Sequence, residues 1–149
     1  MIKIRDASIL ESEIIINFQT NMALETENLK LEKSSVRKGI NAVFKDSSKG
    51  KYYVAEENDR IVGSLLTTFE WSDWKNGIIL WIQSVYIIPE YRRKGIFKKM
   101  YSYLKKMVEE SNGLIGLRLY VNKTNIIAQK TYEKIGMDSE HYKLYEWIK

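Results

Sequence analysis

The residues best suited to chemistry in this chain lie in two short blocks. The first is Arg92-Arg93-Lys94-Gly95-Ile96-Phe97, followed by Lys98 and Lys99. It stands between a segment patterned as a strand and one patterned as a helix. A glycine-containing turn into a helix N-terminus leaves several backbone N–H groups unpaired, and the helix dipole adds positive potential there. Gly95 lets a ligand approach the backbone with no Cβ in the way. Flanking Arg and Lys side chains can neutralise an anion, so the chemistry indicated is phosphate binding. The second block is Asn125-x-x-Ala128-x-x-x-Tyr132-x-x-x-Gly136-Met137, whose first three named residues share one helical face.

The charge pattern supports a local anion site. Seven of the 24 basic residues fall between Tyr91 and Lys106 with no acidic residue among them, and the other 17 face 19 acidic residues, a net charge of −2. One segment is basic, not the protein, which argues for one anionic partner at one place and against a nucleic-acid-coating surface. Glu11 to Glu32 is acidic, with five glutamates against Lys30 alone. A cationic substrate would suit such a patch.

Composition excludes much else. The chain has 149 residues, no cysteine and one histidine, His141. Disulfides, thiol nucleophiles and zinc fingers cannot be made, nor a histidine-rich metal site. Apolar runs such as Ile78–Ile82 are too short to span a bilayer, and the N-terminus has no secretory h-region. The expectation is one cytoplasmic domain over residues 1–149.

The elements that must position the two blocks follow from periodicity. Ile2 and Ile4 alternate with Lys3 and Arg5 as a short strand. Ser8 and Glu11 form a capping box that starts a helix running towards Asn21, and Val36, Ile40, Val43 and Phe44 mark a second helix over 35–46. Residues 52–56 and 60–69 read as a hairpin around Asn58-Asp59, and 77–88 as a long strand stopped by Pro89. A helix from Ile96 ends near Asn112-Gly113; Leu117, Leu119 and Val121 predict a buried strand; 125–135 predicts a helix with Gly136 at C′; and 138–148 predicts a final strand. The fold class is α+β: a mostly antiparallel sheet with a β-α-β crossover and helices on both faces.

The two blocks and the element order resemble the GNAT N-acetyltransferase superfamily, over most of the chain from about Tyr52 to Trp147. The family's R/Q-x-x-G-x-G/A loop corresponds to Arg92, Gly95 and Phe97, with Phe97 where Gly or Ala is usual and Met137 where Phe is usual. The resemblance implies acetyl-CoA as donor, its pyrophosphate on Arg93, Lys94, Gly95, Ile96, Phe97 and Lys98. Its pantetheine would lie along Val85, Tyr86 and Ile87, where the long strand splays from the 116–121 strand, and Asn125 and Ala128 would line the far wall. It implies Tyr132 as the acid that protonates the leaving thiolate.

The acceptor implied is a small-molecule or peptide amine, which attacks the thioester carbonyl directly in a ternary complex because no cysteine can carry an acyl group. Some members carry a glutamate twelve residues before the loop glycine; Gln83 stands there and cannot be a base. Glu70 is the preferred substitute, acting through water, with Glu25 and Glu27 as rivals from the segment that lines the acceptor site in this fold. Trp71 and Trp74 either cage an alkylammonium or pin their loop to the core. Gln83 also keeps open a catalytically silent acyl-CoA sensor of the same fold. Nucleic acid and membrane are not expected partners, and a homodimer is compatible with the resemblance.

Overall fold

The computed structural model describes residues 1–149. Its contacts divide the chain into two compact units, Met1–Arg118 and Leu119–Lys149. The first unit holds five strands in the order β1 (Lys3–Asp6), β2 (Lys51–Glu57), β3 (Arg60–Ser72), β4 (Gly77–Ile87) and β5 (Leu114–Arg118). The first three pairings are antiparallel, and β4 pairs with β5 in parallel. That last pairing needs a crossover, and α3 (Ile96–Glu110) supplies it. The fold class is thus the mixed α+β one the pattern predicted, with five strands in the sheet.

Adjacent residues of β2 assign the layers, because successive side chains point to opposite faces. Tyr52 packs with Ile15, Ile16 and Ile40, residues of α1 (Ser12–Glu27) and α2 (Lys33–Lys45). Tyr53 turns the other way, with its ring 5.9 Å from that of Tyr103 and its hydroxyl 3.7 Å from the Met107 sulfur, both on α3. Helices therefore cover both faces of the sheet.

Local chemistry fixes the entry to α1. Ser8 and Glu11 form the predicted capping box, but it closes a single 3₁₀ turn, Ile9–Glu11, and α1 follows directly. Glu11 accepts the Ser8 backbone N–H at 2.7 Å and is paired with Arg5 of β1, whose guanidinium also bonds Glu56 of β2. One arginine thereby ties the first helix to two strands. At the far end of the unit the expected strand over 117–121 is displaced: β5 begins at Leu114 and stops at Arg118, and its side chains are at most half-buried. Its ladder follows β4 from Ile78↔Leu114 to Trp81↔Arg118, where β5 ends although β4 runs on to Ile87.

The second unit contains α4 (Ile126–Lys134). The predicted strand over 138–148 is not formed. Tyr142, Leu144, Tyr145, Trp147 and Ile148 are exposed there, and His141 is exposed with them. Adjacent apolar pairs, Leu144-Tyr145 and Trp147-Ile148, break the period of two, and this unit holds no other strand to form a ladder with.

Hydrogen bonding to Arg5 holds the Glu11 carboxyl below its ordinary range. A depressed carboxylate contributes stability above its unfolded pKa of about 4.3 and loses it as pH falls through the lower folded value. Glu11→Gln is expected to cost about 1–2 kcal/mol near neutral pH. Urea denaturation of both proteins should show that difference shrinking below about pH 4.

Candidate active site

β4 runs for eleven residues, but β5 pairs with it only as far as Trp81. On the other edge its ladder with β3 shifts register between Ser64 and Leu66, opposite Ser84, whose φ is +54°. A bulge there turns the strand, and the Gln19 side chain of α1 caps the Ser84 carbonyl at 3.1 Å. Val85 lies past the β5 ladder. So does Ile87, whose residue still pairs with Gly63 of β3.

After β4 a 3₁₀ turn, Pro89–Tyr91, leads into the loop. Arg60 and Lys94 place their cationic groups 5.9 and 4.9 Å from the Tyr91 ring centre, which packs the turn down. The sign of φ then alternates: Arg93 is at +61° and Gly95 at +75°. Arg92 before them is extended, and left-handed residues in such a turn can aim successive N–H groups into one concavity, an anion nest. The first bond of α3 runs from Lys99 N–H to Gly95 O at 3.1 Å, so the helix does not use the amides that precede it. A Cβ built on Gly95 would meet nothing within 4 Å. The glycine is required by its backbone angle, and the space above it is open.

The side chains of the basic cluster divide into two sets. Lys105 and Lys106 face Glu109 and Glu110 one helical turn on, at 3.9 and 3.7 Å. Arg92 donates to Ile87 O at 2.8 Å and to Glu25 at 2.6 Å, and lies over the Tyr86 ring. No ion pair involves Arg93, Lys98 or Lys99, all exposed. Arg93 in the loop and Lys98 and Lys99 in the first turn of α3 are therefore left outside the ion pairs.

On the α1 face of the sheet Glu70 accepts the Trp81 indole N–H at 3.0 Å and pairs with Arg118 at 2.5 Å. Gln83, next along that face, donates to Thr68 Oγ1. Trp71 alternates to the opposite face from Glu70 and is 61% exposed; Trp74 sits in the β3–β4 turn, 93% exposed. Glu27 ends α1, exposed, whereas Glu25 bonds both Arg92 and the Tyr86 hydroxyl.

Within the second unit Asn125 caps α4, its side chain accepting from Ala128 N–H at 3.1 Å. A Schellman motif closes the helix, with Met137 N–H on Tyr132 O and Gly136 N–H on Glu133 O, and Gly136 at φ +92°. Tyr132 is half-buried, and burial pushes its phenol above the ordinary value. A phenol so shifted stays protonated at neutral pH. Neither Arg118 nor Thr68 carries a sequence signal, because their partners lie 48 and 15 residues away.

The model of the acetyltransferase (GNAT) family matches residues 19–137. A solved structure of a possible acetyltransferase from Clostridium difficile 630 is 43% identical, with 99% of this chain and 97% of that one covered and a TM-score of 0.92. This chain belongs to the GNAT acetyltransferase family. The same fold occurs in a predicted acetyltransferase with acetyl-CoA from Clostridium acetobutylicum (19% identity, 98% and 96% covered, TM-score 0.76). It occurs too in AAC(6')-Iy in complex with a bisubstrate analogue, CoA-S-monomethyl-acetylneamine (10%, 100% and 99%, 0.81). No curated protein matches the chain. No helix is long and apolar enough to cross a membrane.

Because nothing crowds Gly95, Gly95→Ala isolates the cost of the left-handed backbone, about 1–2 kcal/mol. Gly95→Asn should cost less, since Asn tolerates this region better. Urea midpoints of the three proteins give the order Gly, Asn, Ala.

Proposed function

We propose that the chain is an N-acetyltransferase that moves the acetyl group of acetyl-CoA to an amine, a small primary amine or a peptide amine, by direct transfer in a ternary complex. The observation that carries this reading is the loop over 93–98: an amide nest at a helix N-terminus, placed where β4 outruns its partner β5. The family match extends over both compact units, which supports treating 1–149 as one working domain. The cytoplasm is the compartment we propose, as the place where acetyl-CoA is available to such an enzyme.

The residues fit the cofactor in kind. Backbone amides of Arg93 to Lys98 would hold the pyrophosphate, with Arg93, Lys98 and Lys99 neutralising its charge. The strand backbone at Val85, Tyr86 and Ile87 would pair with the pantetheine amides as an added strand does. Asn125 and Ala128 would contribute the helix wall. When bound, acetyl-CoA supplies a thioester carbonyl and a leaving thiol of pKa about 8.5.

Two proton movements remain for the chain's own side chains. Tyr132, protonated at neutral pH, donates to the departing sulfur. Glu70 takes, through a water, the proton that the acceptor ammonium must lose before its nitrogen can attack, and Trp81 and Arg118 hold its two oxygens in place for that task. Each oxygen retains a lone pair after accepting one donor. Glu27, exposed at the end of α1, is the rival carboxylate. The silent-sensor reading draws on Gln83, whose amide is committed to Thr68 and offers no base; turnover with any amine removes it.

Calorimetric titration should show acetyl-CoA and CoA binding, weakened by reversing charge at Arg93 and Lys94. No detectable binding would refute the proposal. Given turnover of an amine, Tyr132→Phe should lower kcat by roughly a hundredfold or more. Because burial raises the Tyr132 pKa, the alkaline limb of kcat in the native enzyme should fall above about pH 10, and Tyr132→Phe should lack it.

A further inference from the structure

One carboxylate connects the end of α1 to the cofactor loop. Glu25 Oε1 accepts the Tyr86 hydroxyl at 2.9 Å, and Oε2 accepts from Arg92 at 2.6 Å. Arg92 spends its Nε–H on Ile87 O at 2.8 Å and stacks its guanidinium 5.4 Å from the centre of the Tyr86 ring. Tyr86 itself is buried against Phe18 of α1, ring centres 5.0 Å apart. Arg92 is the last residue before φ turns positive at Arg93. Its side chain is thus committed to the protein on three sides, at the point where the chain leaves β4 for the loop.

Resting on the acetyl-CoA reading, we infer that Glu25 is a positioning residue for the pyrophosphate loop. It acts through Arg92, and Arg92 fixes the loop's entry and is not itself a phosphate ligand. The carboxylate is then not available to hold the acceptor amine. An exposed ion pair alone is worth little. Here the pair is shared with a phenol donor, a carbonyl and a ring face, so its partners hold one geometry, and that geometry sets where the Arg93–Lys98 amides point. A loop that has lost its strut must order itself on binding, and affinity falls by that cost.

The test is calorimetric titration of the full chain with CoA and, separately, with ADP. The proteins compared are the native chain, Glu25→Gln, Arg92→Met and the double variant. Glu25→Gln should weaken both ligands by the same factor, roughly three- to tenfold. In the Arg92→Met background it should add nothing further, because the effect passes through Arg92. Should Arg92→Met fail to fold, Arg92→Gln replaces it, which likewise leaves Glu25 no cation to act through. Unchanged CoA and ADP affinity in Glu25→Gln overturns the inference, and so do losses that simply add in the double variant. A native chain that binds neither ligand overturns the acetyltransferase reading and this inference with it, an outcome distinct from the other two.

Discussion

Backbone polar groups removed from water need partners, and the second half of β4 has only one strand to pair with. β3 accompanies it along its whole length, with a bulge, while β5 stops at Trp81. That inequality of length organises the rest of the first unit. It leaves strand backbone at Val85 and Ile87 without a β5 ladder, and it delivers the chain to the loop that opens α3. β4 lies inside the sheet, between β3 and β5, and its Leu80, Ile82 and Tyr86 are buried in the core.

Backbone and side-chain charge contribute unequally at the loop. The sequence concentrates seven cations between Tyr91 and Lys106, yet the fold commits Arg92, Lys105 and Lys106 to carboxylates and lays Lys94 on an aromatic ring. Exposed pairs of this kind contribute at most about 1 kcal/mol each. What distinguishes the site is the directed set of amides, with Arg93, Lys98 and Lys99 as its charged surround. Such an arrangement suits one compact anion better than an extended polyanion, in keeping with family membership.

Features dictated by neighbouring residues were legible in the sequence. The capping box at Ser8, the turn at Asn58-Asp59, the Pro89 stop and Gly136 closing α4 are all local, and each stands where its residue type predicts. Features that depend on a distant partner were not. β5 begins at Leu114 because β4 supplies a ladder there, which periodicity around Leu117 cannot reveal. The apolar residues of 138–148 alternate imperfectly and form no strand. The link from Glu25 to Arg92 spans 67 residues and that from Arg118 to Glu70 spans 48, so neither carboxylate's surroundings could be read from its own segment.

The central claim is that the anion is held by the backbone of the loop. Backbone amide resonances followed by NMR during titration with CoA test it most directly. The largest shifts are expected at Arg93 to Lys98, Gly95 among them, with small changes along α3 beyond Lys99. Shifts spread over the lysines of α3, with the Gly95 amide unmoved, would contradict it.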